Sequence, residues 1–151
     1  MINNFIYADP AKLPISFKYD GFGNDKKICG IPESFNPIVT STEKDGVTKT
    51  VFCGTNADGL EVKVECTTYE KYPVAEYTAF VTNKADTDSK LVRELRIFDG
   101  FIKGSNPVVT YGTGDTWELR GYEIHTEQLD ERLILEPVYG TPCNGASPFI
   151  K

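Results

Sequence analysis

Apolar and polar residues alternate over short runs along much of this chain. The clearest run is GLEVKVECTTYE, where Leu60, Val62, Val64 and Cys66 fall on one side and Glu61, Lys63 and Glu65 on the other. A strand turns successive side chains to opposite faces, so this run predicts one dry face and one wet face, as in an antiparallel sheet. LPISFKYDG repeats the pattern, with Ile15, Phe17 and Tyr19 set against Ser16 and Lys18. IVTSTEKDGVTKTVFCGT reads as two strands around Asp45-Gly46, a pair suited to a tight hairpin turn. Val74 to Asn83 is apolar on both faces and predicts a central strand.

Other runs are less regular. Gly30, Pro32 and Pro37 break NDKKICGIPESFNP too often for a regular element. LVRELRIFDG alternates as a strand, although its leucines four apart would also share a helix face. GFIKGSNPVVTYGTGD is not helical, and YEIHTEQLDERLILEP fits either a short helix from Glu127 to Leu135 or a strand at Leu133-Ile134-Leu135. Strand signals separated by turns, with no long amphipathic helix, predict an all-β fold: a two-layer antiparallel β-sandwich with few or no helices. A chain of 151 residues is expected to form a single domain, 1–151.

Charge narrows the range of partners. The net charge is −6, and the longest basic cluster is Lys26-Lys27, which disfavours nucleic acid. The first residues, MINNFIYADPAKLPISF, lack the basic and continuous apolar regions of a signal peptide, and no apolar stretch is long enough to span a membrane. A cytoplasmic protein without membrane contact is the expectation. Cys29, Cys53, Cys66 and Cys143 form no C-x-x-C pair and are expected to be small, buried, reduced residues rather than metal ligands. In a hairpin closed at Asn56-Ala57-Asp58-Gly59, Cys53 lies opposite Val62 to Val64, too far from Cys66 for a disulfide.

Candidate chemistry is sparse. His125 is the only histidine, and alternation in YEIHTE makes it a surface strand residue. No nucleophile elbow, phosphate loop or H-E-x-x-H motif occurs, and Gly21-Phe22-Gly23 reads as a turn. Asp99, before Gly100, reads as a turn former. Trp117 sits in YGTGDTWELRGY between glycines, with Tyr111 and Tyr122 nearby, and such aromatic faces serve packing or stack on sugar rings.

Several stretches together resemble the amino-terminal region of α-galactosidase-like proteins of glycoside hydrolase family 36. They are LPISFKYDG, the run Gly59, Leu60, Glu61, Val62 and Val64, then Tyr69, Pro73, Glu76, Tyr77, Phe80 and Asn83, then Asp86-Thr87, and LVRELRIFDG. The tail YGTPCNGASPFI is similar to the piece that precedes the family's catalytic barrel. The segment from Cys29 to Thr50 has no counterpart in it.

The resemblance implies a β-sandwich of the supersandwich type, detached from a retaining hydrolase whose two catalytic aspartates lie in an absent barrel. It therefore implies no catalytic residue, cofactor or metal in this chain. Lys18-Tyr19-Asp20 matches the family's Lys-x-Asp nucleophile motif, but a first-strand position is wrong for a barrel site. The implied role is packing against the barrel, with Trp117, Tyr111, Tyr122 and Phe149 as substrate-rim or interface residues and Pro148-Phe149-Ile150 as part of the interface. Family members often assemble, so a homo-oligomer is a further implied partner. The alternative is an independent carbohydrate-binding β-sandwich module.

Overall fold

The computed structural model describes residues 9–20, 26–100, 106–113, 123–129 and 133–134. The chain divides into two compact units, Met1–Phe101 and Ile102–Lys151. The fold is all-β and sandwich-like, and its strand pairings are antiparallel.

The first unit contains β1 (Ser16–Tyr19), β2 (Lys27–Cys29), β3 (Ile38–Lys44), β4 (Val47–Thr55), β5 (Leu60–Tyr69), β6 (Tyr72–Asn83) and β7 (Val92–Arg96). A four-stranded sheet runs β3-β4-β5-β6 and a three-stranded sheet runs β2-β1-β7. The Asp45-Gly46 turn closes β3 on β4 as its sequence predicts. Both residues have positive φ (53° and 74°), and Lys44 pairs with Val47 across a two-residue loop. At the β4–β5 turn, the side-chain oxygen of Asn56 accepts from the amides of Asp58 at 3.0 Å and Leu60 at 2.9 Å. This turn sets Cys53 opposite Lys63, inside the expected window.

One apolar cluster joins the two sheets. Ile15, Phe17, Tyr19 and Ile28 come from the smaller sheet and its approach, and Phe52, Leu60, Val62, Val64 and Cys66 from the larger. The alternation read in β1 and β5 is thus the inward face of each layer. Ile31 and Phe35 complete the core from the connection between the sheets, and Phe35 meets Phe17 edge-on at 6.4 Å between ring centroids. Gly54 makes their position possible. A Cβ there would lie 2.7 Å from Ile31 Cγ2 and 2.9 Å from the Phe35 carbonyl oxygen. The missing side chain is a notch into which the connection settles.

Three readings change, and one ambiguity resolves. Residues 26–37 are not wholly irregular, since they hold β2, a 3₁₀ turn at Glu33–Phe35 and two core side chains. Cys29 is exposed rather than buried, because it lies on the outward side of β2, next to the buried Ile28. The segment 92–96 is the strand its alternation predicts, not the rival helix, and it carries a bulge. Ser16 pairs with Arg96 but Lys18 with Arg93, and Glu94 takes φ 49° at the irregularity. Finally, β6 is an edge strand among the described residues, not a central one. Its inward residues Tyr77, Ala79 and Val81 pack on the core, while Tyr72, Val74 and Phe80 are exposed. Two extra residues, Pro73 and Val74, bulge where the register passes from Thr68–Ala75 to Tyr69–Tyr72. Proline lacks the ladder donor and is tolerated at such a bulge on an edge.

In the second unit, β8 (Val108–Gly112) pairs with β9 (Ile124–Gln128), so the ambiguous segment begins as a strand.

Candidate functional site

The Lys18-Tyr19-Asp20 triplet is structural. The Lys18 ammonium lies 2.6 Å from a Glu94 carboxylate oxygen, and the Arg93 guanidinium donates to Asp20 at 2.6 Å. Tyr19 points the other way and is buried. Alternation along β1 sends Lys18 and Tyr19 to opposite sides, and the bulge in β7 brings Glu94 to Lys18. Lysine and aspartate are therefore each held by a partner of opposite charge on the neighbouring strand.

Asp99 does more than form a turn. Its carboxylate accepts from the buried hydroxyl of Ser16 and meets the ammonium of Lys27, with the Arg96 guanidinium 3.9 Å away. Its amide donates to the Pro14 carbonyl at 2.7 Å. The Lys27 contact first, then the Ser16 hydrogen bond, hold the carboxyl below its ordinary value. An acid kept ionised in this way carries no proton to donate near neutral pH. Its arrangement suits it to tie β1, β2 and the end of β7 together.

Of the four aromatic site residues read from the sequence, Tyr111 lies within the described residues, while Trp117, Tyr122 and Phe149 lie outside them. Tyr111 pairs with His125 across β8 and β9, their rings stacked 5.2 Å apart at 23°. The Tyr111 hydroxyl donates to Glu127 at 2.7 Å, and this carboxylate raises the phenol above its usual range. His125 is half-buried rather than fully on the surface, and its Nε2 is buried without a hydrogen-bond partner among the described residues.

A second aromatic pair was not singled out as a site from the sequence. Tyr69 and Tyr72 face each other across the β5–β6 turn, and Tyr72 is 64% exposed. The Tyr69 hydroxyl donates to the Glu76 carboxylate, which raises the phenol. The signal was weak in one dimension. The two tyrosines are three residues apart, and the two-residue turn Glu70-Lys71 makes them cross-strand neighbours, with the bulge at Pro73 just beyond.

Two open hollows lie on the first unit. One, of about 460 Å³, is lined by Tyr19, Thr87, Asp88 and Ser89 and by Asp58 and Lys90, which pair at 3.1 Å. The other, of about 510 Å³, includes Phe35, Ile38, Cys53 and Glu61. Burial first, and then Glu61, push the Cys53 thiol up, so the thiolate needed for nucleophilic attack is disfavoured. Among the described residues, no cluster of three or more histidine, cysteine, aspartate or glutamate side chains is arranged to hold a metal ion. Also among them, no helix is long and apolar enough to cross a membrane.

Comparison with protein-family models, with curated proteins and with solved structures finds no match.

Proposed function

We propose that this chain is the non-catalytic amino-terminal domain of an α-galactosidase-like glycoside hydrolase, packing against a catalytic barrel and supporting its active-site rim or oligomer contacts. The observation that carries this reading is how the motif residues of β5 and β6 are used. Tyr69 is bonded to Glu76, and Tyr77 donates to the Ile97 carbonyl. Asn83 accepts from the Ala85 amide at 3.0 Å and donates to the Thr87 carbonyl at 2.7 Å. Each of these residues fixes a turn or a strand end. That is the work of a scaffold signature, and it supports a domain whose recurring residues are architectural. The ion pairs of Lys18 and Asp20 agree with a non-catalytic role for that triplet.

The reading is tested on the coding sequence beyond Lys151 and on the purified chain. A barrel-encoding continuation is expected, as is no hydrolysis of nitrophenyl α-galactoside by the chain alone. A stop codon at position 152, with no barrel encoded nearby, or unaided hydrolysis would overturn it.

The Tyr69–Tyr72 pair, with Tyr72 exposed and Tyr69 half-buried, favours one second reading, an independent carbohydrate-binding module. Aromatic faces beside a carboxylate suit the apolar and hydroxyl faces of a sugar ring. Calorimetric titration with galactosides and glucans at millimolar concentration distinguishes it. Binding that is lost in Tyr72→Ala would support the module, and no binding would remove it.

A further inference from the structure

Four aspartates of this chain precede a glycine: Asp20, Asp45, Asp58 and Asp99. An Asp-Gly pair can rearrange by itself, because the glycine nitrogen can reach the aspartate's own side-chain carbon where no Cβ stands in the way. The attack needs an uncharged carboxyl, a glycine amide without an acceptor and room for the peptide to rotate. Three of the four pairs lack at least one of these. The Asp20 carboxylate is held by Arg93 at 2.6 Å. Asp58 is held by Lys90, the Gly59 amide donates to the Asn56 carbonyl at 3.1 Å, and a Cβ on Gly59 would lie 2.9 Å from that of Ala85. Asp99 is kept ionised by Lys27 and Ser16, and a Cβ on Gly100 would lie 3.0 Å from the Phe98 ring.

Asp45-Gly46 differs on every count. Asp45 is exposed, and no described residue bonds its carboxylate. No described residue accepts from the Gly46 amide. The turn closes β3, an edge strand whose seven residues are all exposed, so opening it uncovers no core. A second carboxylate stands beside the pair. The Glu70 amide donates to the Gly46 carbonyl at 2.9 Å, which sets the β5–β6 turn against the β3–β4 turn. A Cβ built on Gly46 would lie 3.2 Å from Glu70 Oε2.

We propose that Asp45-Gly46 is a self-modification site, at which aspartate converts to isoaspartate with Glu70 as the proton carrier. Glu70 takes the proton of the Gly46 amide as the nitrogen bonds to Cγ of the uncharged Asp45 carboxyl. The tetrahedral carbon then breaks its bond to one hydroxyl, which leaves as water with the proton that Glu70 returns. A cyclic succinimide remains, and water opens it at either carbonyl. One opening restores aspartate. The other routes the main chain through the side chain and frees the α-carboxyl. The new link lengthens a two-residue loop by one backbone carbon, which the Lys44–Val47 register does not absorb, so β3 parts from β4. The class of reaction that consumes this product is methylation of the freed carboxyl, followed by closure back to the succinimide. The inference does not rest on the glycosidase reading, since it uses two neighbouring turns of this domain alone.

Peptide mapping with electron-transfer fragmentation, which separates isoaspartate from aspartate, tests it on the folded full chain kept in mildly acidic buffer. Asp45 is expected to convert before Asp20, Asp58 and Asp99, through an intermediate lighter by one water. In urea, where the fold no longer protects the other three, that lead should vanish. Glu70→Gln keeps the backbone bond to Gly46 but removes the proton carrier, and should slow conversion several-fold. Circular dichroism confirms that this exposed substitution folds, and the ranking of the four pairs reads the wild type alone. Asn144-Gly145 lies outside the described residues, and its isoaspartate forms with loss of ammonia and is scored apart by position. Earlier conversion at another of the four aspartates, no conversion at Asp45, the same lead in urea, or an unchanged rate in Glu70→Gln overturns the inference.

Discussion

β5 and β6 are neighbours, paired with each other along nearly their whole lengths, yet one is core and the other is skin. β5 buries four side chains to 2% exposure or less, namely Leu60, Val62, Val64 and Cys66. β6 is longer, carries more apolar residues, and buries none to that degree. Composition does not explain the contrast. β5 lies under the second sheet and has a strand on each side, whereas β6 lies at the margin of that cover. Burial belongs to a strand's position in the layers, and the energy of an apolar side chain follows from that position.

The sharpest way to break the contrast is to truncate one apolar side chain on each strand. Leu60→Ala empties a fully enclosed site and should cost about 2–5 kcal/mol. Phe80→Ala removes a larger side chain from a 39% exposed position, where Lys63 lies 4.3 Å over the ring, and should cost below about 1 kcal/mol. Urea unfolding of both measures the difference, and equal losses would mean that β6 is as enclosed as β5.

The turns before β5 and after β6, side by side at one end of the pair, give a smaller effect of the same kind. Asn56, 8% exposed, satisfies two amides at the start of β5, and Asn56→Ala should cost about 1–3 kcal/mol. Asn83 makes comparable bonds at the exposed end of β6, where water replaces them, and Asn83→Ala should cost about 0.5 kcal/mol or less. Thermal melts of the two variants should preserve that order.

Acid acts on the other sheet first. Because Lys27 and Ser16 hold the folded Asp99 carboxyl below its ordinary value, the unfolded chain binds that proton more readily. The resulting stabilisation is present above about pH 4 and is lost as pH falls through the folded-state value. Wild type should therefore be more stable than Asp99→Asn near pH 6, with the gap closing toward pH 2 in denaturant titrations. Thiol labelling shows the smallest effect, one that leaves stability aside. Exposed Cys29 should react before half-buried Cys53. Cys66, buried in β5 with its thiol pushed up to about 11, should react only on unfolding.

Alternation made β1 and β5 legible, and Asp45-Gly46 made the β3–β4 hairpin legible, because each depends on residues close in the chain. β6 was misread because a strand apolar on both faces has the same local pattern at an edge as at a centre. Pro73, just before the run read as a strand, was the signal for an edge. The core role of Ile31 and Phe35 was hidden for another reason. Their place depends on the absent side chain of Gly54, some twenty residues away on another element. The Tyr69–Tyr72 pair was hidden because Glu70-Lys71, the turn between them, carries none of the usual turn residues. Tyr111 was chosen as a companion of Trp117, whereas its described neighbours are His125 and Glu127.

The tie between Ser16 and Asp99 spans 83 positions. The meander from β3 to β6 needs only short loops, so it can close while the rest of the first unit is still unfolded. β1 can pair with β2 locally, but its other edge must wait for β7. On the ribosome, the meander is therefore complete before the last strand of its cover arrives, and a chaperone that shields apolar sheets would find its substrate in that interval.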